Sequence, residues 1–158
     1  MKNYNLRLKN SGYAPEEERQ FRVLLAAFQD YISDKQDFFE VLYSEKLGKY
    51  IEVIMEKLLW QTEPLWELDS PDSLFELLLC QMAVDIAGPR WDSEYGEIGP
   101  QFTPGELTET RRQVTEYLDR IPDEPLRRRC TRAMDNFIRA ETAKAEHYLK
   151  TGIRRQAI

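Results

Sequence analysis

Apolar residues recur at three- and four-residue steps through most of this chain, the spacing that gives an α-helix one oily face. After Pro15, such a face is marked by Phe21, Leu24, Leu25, Phe28, Tyr31 and Ile32. Pro15 suits a first-turn position, where a backbone N–H would have no partner. Glu16, Glu17 and Glu18 sit where negative charge complements the helix dipole. Ser33 and Gln36 have the spacing of a capping box, which predicts a new helix from Ser33. Phe38, Phe39 and Leu42 mark its first half, and Leu47, Tyr50, Ile51, Ile54 and Leu58 mark its second. On a helical wheel the two sets point about 100° apart. The pattern therefore predicts a kink, wrap or short break at Ser44–Gly48, and Pro64 ends the segment near Thr62.

Residues 63–70 read as a connector. Ser70 then caps a helix with Pro71 at its first position, and Gly88 is a suitable left-handed stop. From Ser73 to Ala87 only Ser73, Glu76, Gln81 and Asp85 are polar, a composition that predicts a central, buried helix. Thr103 and Glu106 form another capping box, with Pro104 between them, for a helix carrying Leu107, Val114, Leu118 and Ile121 and closed by Pro122. Asp123 or Glu124 opens the last helix. Its stripe runs through Leu126, Cys130, Ala133, Met134, Phe137, Glu141, Ala145 and Tyr148 to a stop at Gly152.

No run alternates with period two over six residues and β-branched content is low, so no strand is expected. The expected fold is all-α, a compact bundle of about five or six helices around a buried central helix at about 71–87. Residues 1–13 are expected to be a flexible N-terminal arm, 14–152 a single helical domain, and 153–158 a frayed C-terminal tail.

Composition adds limits. At 158 residues the chain fits one domain and needs no disulfide or metal to hold a core. Cys80 and Cys130 stand fifty positions apart without a CxxC, as thiols of a reducing compartment do. The start, MKNYNLRLKNSGY, has no apolar signal region. The longest uncharged apolar run, Leu77–Val84, is eight residues where a membrane span takes about 20. The protein is expected to be cytoplasmic and not integral to a membrane. Its net charge of −6 is uneven: residues 14–110 carry 21 acids and seven bases, whereas residues 111–158 carry 12 bases and seven acids. Such asymmetry signals a charged partner, or two halves that attract each other within one fold.

The candidate chemistry is sparse. There is one histidine, His147, and it lies 17 residues beyond Cys130 on the same expected helix. At about 1.5 Å per residue the two are ~25 Å apart, too far for a Cys–His pair. Phosphate-loop, dinucleotide, zincin and nucleophile-elbow motifs are missing. No catalytic residue, metal or cofactor is expected. An acid-only divalent-metal enzyme using Glu63, Glu67, Asp69, Glu76 and Asp85 is the third reading, because hard cations take oxygen ligands. The second reading is a nucleic-acid binder using Arg127, Arg128, Arg129, Arg132 and Arg139. Against it, the chain is acidic and Asp135 shares the stripe.

The leading reading rests on GPRWDSEYGEIGPQFTPG, residues 88–105. It holds four of the seven glycines and three of the eight prolines, together with Trp91, Tyr95 and Phe102. Helix connections this long are usually functional or disordered, and disordered linkers tend to lack aromatics. One expectation is that Trp91 and Phe102 lie on the core and cover its edge. The other is a recognition loop of Arg90, Trp91, Asp92, Glu94, Tyr95 and Glu97, the aromatics as anchors and the acids toward a basic partner. The function expected is therefore a non-catalytic interaction module, a regulator, adaptor or inhibitor. Its partner is another protein, including one with a basic or nucleic-acid-binding surface. The oligomeric state is left open.

Overall fold

The break anticipated at Ser44–Gly48 is a β-hairpin turn. The computed structural model describes residues 6–54, 65–88, 91–92, 96–97 and 101–151. Within them the chain forms α1 (Pro15–Ala27), α2 (Gln29–Asp34), β1 (Phe39–Ser44), β2 (Lys49–Ile54), β3 (Leu65–Leu68), α3 (Pro71–Ala87), β4 (Trp91–Asp92), β5 (Gly96–Glu97), α4 (Pro104–Leu118) and α5 (Glu124–Thr151). Helix predominates, but the all-α expectation is overturned by a three-stranded antiparallel sheet of order β1-β2-β3. The expected helix from Ser33 does not form: α2 ends at Asp34, and turns lead into β1. The connector at 63–70 contains β3. The remainder of that expected helix, including Leu58 and Thr62, lies outside the described residues, as does Gly152 with the tail.

The physical reason for the sheet is visible in its central strand. Tyr50, Ile51, Glu52 and Val53 of β2 are all buried, so both faces of the strand are covered. A strand covered on both faces loses the alternation that marks a half-exposed one. The residues themselves, FEVLYS and KYIEVI, are aromatic and β-branched, the types that suit a pleated surface. Cross-strand pairs set the register: Tyr43 opposes Tyr50, which opposes Leu68. β1 and β3 are the edge strands. Gly48 turns the hairpin at φ 67, and its N–H donates to the Ser44 carbonyl at 2.8 Å. A Cβ there would stand 2.3 Å from the Asn10 carbonyl oxygen, so the turn needs glycine for space as well as for backbone conformation.

Contacts divide the chain into two compact units, Met1–Phe75 with Arg120–Leu126, and Glu76–Asp119 with Arg127–Ile158. The first has an aromatic centre. Phe21 of α1 stacks at a tilt on Tyr13 and on Tyr50, with ring centroids 4.6 and 4.7 Å apart. Tyr31 of α2 meets Phe39 of β1, and Phe28 meets Phe75 edge-on. The Tyr13 hydroxyl donates to the Leu68 carbonyl and accepts the Tyr50 N–H at 2.8 Å. It thus bridges a register pair of β2 and β3. Burial pushes this phenol up to about 12, against the opposing pull of the Tyr50 N–H. Glu18 is 1% exposed and faces Arg7, whose Nε lies 2.7 Å from its carboxylate. Burial raises this carboxyl, but hydrogen bonds from Ser11 and the Leu8 N–H, together with Arg7, outweigh it and hold Glu18 below its ordinary value. Residues 6–13 are therefore tied to α1 and the sheet at Arg7, Leu8, Ser11 and Tyr13. Arg19 pairs with Asp123, and Arg120 with Asp30 at 2.8 Å.

In the second unit Ala83, Phe102 and Leu107 form a buried cluster, with Ala87, Phe137 and Ile138 packed against it. The Thr103 cap is as expected: its hydroxyl accepts the Glu106 N–H at 3.2 Å, and Glu106 accepts the Thr103 N–H. Helix α3 departs from the expectation of all-round burial. Leu74, Leu78, Met82 and Ala83 are buried, but Glu76, Cys80 and Val84, four residues apart, form an exposed stripe. Cysteine and valine on that stripe give it an apolar composition without burial. Ser70 does cap the helix, accepting the Ser73 N–H at 3.2 Å, and Gly88 ends it at φ 69. Among the described residues no helix is long and apolar enough to cross a membrane.

Two outcomes follow from the buried polar groups. Tyr13→Phe leaves the Leu68 carbonyl and Tyr50 N–H without their partner and should cost about 1–3 kcal/mol by urea denaturation at neutral pH. An unfolded tyrosine ionises near pH 10 and folded Tyr13 only near 12. The wild type's advantage over Tyr13→Phe should therefore shrink as pH rises through that interval. Glu18 has the opposite sign. Its depressed pKa contributes stability that is complete above the unfolded carboxyl value, about 4.3, and is lost as pH falls through the folded one. Glu18→Gln should flatten that part of the acid limb in a pH titration of stability.

Candidate functional site

The segment after α3 is built by three local devices. Gly88 turns the chain out of the helix, its N–H still bonded to the Val84 carbonyl at 2.9 Å. Strands β4 and β5 then pair antiparallel, Trp91 opposite Glu97 and Asp92 opposite Gly96. Ser93–Tyr95, between the two strands in sequence, lie outside the described residues. Phe102 closes the segment. It is 2% exposed and meets the Phe137 ring edge-on, with centroids 5.8 Å apart. The Thr103 cap follows at once. The described residues of the segment are thus a short antiparallel pairing followed by a packed Phe102. Phe102 covers a core edge, one half of the first expectation; the other half, Trp91 on the core, rests on a side chain outside those described.

Of the proposed recognition residues, Trp91, Asp92 and Glu97 fall in the ribbon's paired backbone. Arg90, Glu94 and Tyr95 lie outside the described residues.

The arginine row lies on α5. Arg128, Arg132 and Arg139 are exposed and Arg127 and Arg129 half-buried; Arg127, Arg128 and Arg129 each make contacts of their own. Asp135, on the same stripe, is held by Arg111 of α4. Arg132 and Arg139 have no ion pair among the described residues. On α4, Arg112 binds Glu109, pulling that carboxyl down to about 2, and also reaches Glu116 at 2.8 Å.

Three of the acids considered for a cation have other partners. Lys49 Nζ stands 2.8 Å from Asp69 and 3.6 Å from Glu67, so an ammonium already sits between those two carboxylates. Asp85 accepts from Gln81 at 3.2 Å, Glu76 is exposed on α3, and Glu63 lies outside the described residues. Among the described residues no group of three or more metal-ligating side chains converges. Cys130 is buried and His147 half-buried on the single helix α5, and Cys80 is exposed on α3.

Comparison with protein-family models, with curated proteins and with solved structures finds no match.

Sequence reasoning missed two features. One is the polar knot of Arg7, Glu18 and Tyr13, since the position of Glu18 in the chain speaks only for a complement to the helix dipole. The other is the exposed apolar set on the sheet and its flanking turns: Phe38, Leu42, Leu47 and Trp66 are each 44–57% exposed. The signal available for the sheet was the clash between the two helical faces on either side of Ser44–Gly48.

If Phe102 pins the ribbon to the second unit, truncating it removes a fully packed aromatic ring. Phe102→Ala should destabilise by about 3–5 kcal/mol, measured by denaturant unfolding followed at the helical circular-dichroism band.

Proposed function

We propose that the chain is a non-catalytic protein-interaction module, an adaptor, regulator or inhibitor, that engages its partner through the β4–β5 ribbon and the residues beside it in sequence, Arg90, Glu94 and Tyr95. The ladder between Trp91 and Glu97 is the observation that carries this reading. A recognition segment with preformed backbone pairing loses less conformational freedom on binding than an open loop. The ribbon's sequence supplies Arg90, Trp91 and Tyr95, the residue types that dominate interface energetics. Asp92, Glu94 and Glu97 favour a basic partner surface, by sign of charge. Neither of the two cysteines is in a disulfide, which supports a reducing compartment such as the cytoplasm.

The test is affinity capture of the full chain from its source cells with quantitative mass spectrometry, comparing wild type with the double variant Glu94→Lys, Tyr95→Ala. The expected result is loss of at least about tenfold in one captured protein, the scale of a single interface anchor, with the unfolding midpoint unchanged. Equal capture by a folded double variant would sink the reading.

A further inference from the structure

The outward face of α5 is a second surface, independent of the ribbon. Arg128, Arg132, Asp135 and Arg139 recur at four-, three- and four-residue steps, so they share one stripe. The stripe is exposed at all three arginines. Between residues 127 and 139 the one acid is Asp135, and Arg111 of α4 already neutralises it. The ion pair also brings a further guanidinium to the row. The result is a straight cationic strip about 17 Å long, at about 1.5 Å per residue from Arg128 to Arg139.

We infer that this strip binds the phosphate backbone of a nucleic acid. Three observations select that occupant. The cations are all arginines, whose planar forks donate bidentately to phosphate oxygens. Asn136, exposed beside the row, adds a neutral donor of the kind that also contacts phosphates. No exposed large apolar side chain lies within residues 127–139; the nearest on α5 is Leu149. A lipid surface would call for apolar residues to insert, and a folded protein partner for an aromatic or aliphatic anchor. The chain's net charge of −6 does not prevent contact, because at physiological salt a charge is screened beyond about 8 Å. Glu146, seven residues past Arg139, ends the strip. Contact is through phosphates, so binding is blind to base sequence.

Fluorescence anisotropy on the full chain with a labelled duplex of roughly 20 base pairs tests this at about 50 mM salt and upward. Wild type should bind. Arg132→Gln with Arg139→Gln should weaken binding at least tenfold and flatten the log–log salt slope by about two, near 0.9 for each phosphate no longer neutralised. Asp135→Asn, which releases Arg111, should tighten binding and steepen the slope by about one. That gain separates phosphate contact from a merely structural role for the face. Three results would each overturn the inference: no binding by wild type at low salt, unchanged affinity in the glutamine pair, or equal binding to polyglutamate or to phosphatidylserine vesicles. The ribbon variant Glu94→Lys, Tyr95→Ala serves as a separate arm, in which loss of protein capture leaves the glutamine-pair result unaffected.

Discussion

One hydroxyl holds the first unit in register. Tyr13 OH bridges the N–H of Tyr50 and the carbonyl of Leu68, which are register partners on neighbouring strands. A side chain thus stands between two backbone groups that would otherwise meet in the ladder. The same ring packs on Phe21, and Phe21 packs on Tyr50. Sheet, first helix and N-terminal segment therefore meet in one aromatic cluster. Because the bridge lies in a poorly solvated place, its partners have no water to turn to, which makes the contact more valuable than an exposed hydrogen bond.

The N-terminal segment gains its order from the same neighbourhood. Glu18 is buried beside Arg7 and accepts from Ser11 and Leu8. Asn10 and Gly12 crowd the Gly48 turn. A buried carboxylate is tolerated only when its oxygens are occupied, and here residues 7–11 occupy them. The segment that lacks any periodicity is thus the one that satisfies a charge and closes a hairpin. Neither role requires a repeating pattern.

Legibility followed from how local the cause was. Caps at Ser70 and Thr103, the Gly88 stop and the Asp123 start are each set within four residues, and each stands where the sequence places it. The sheet was not legible, because β2 is covered on both faces and because Leu47, Tyr50, Ile51 and Ile54 fall by coincidence on helical spacing. Helix α3 reads as buried all round since Cys80 and Val84 count as apolar, yet both face outward. At the candidate site, the aromatic segment and its Phe102 anchor are legible from residue types alone. The β4–β5 pairing is not, since two-residue strands carry no period. Nor is the Arg111–Asp135 pair, which depends on two helices meeting.

The edge strand β1 carries a consequence for handling the protein. Its sequence, FEVLYS, contains neither proline nor lysine, the usual guards against strand-to-strand stacking between molecules, and Leu42 on it is exposed. Against such stacking β1 offers Glu40, a charge within the strand, and the chain as a whole a net charge of −6, whose mutual repulsion opposes association. A substitution that removed Glu40 would leave this edge with no charge of its own.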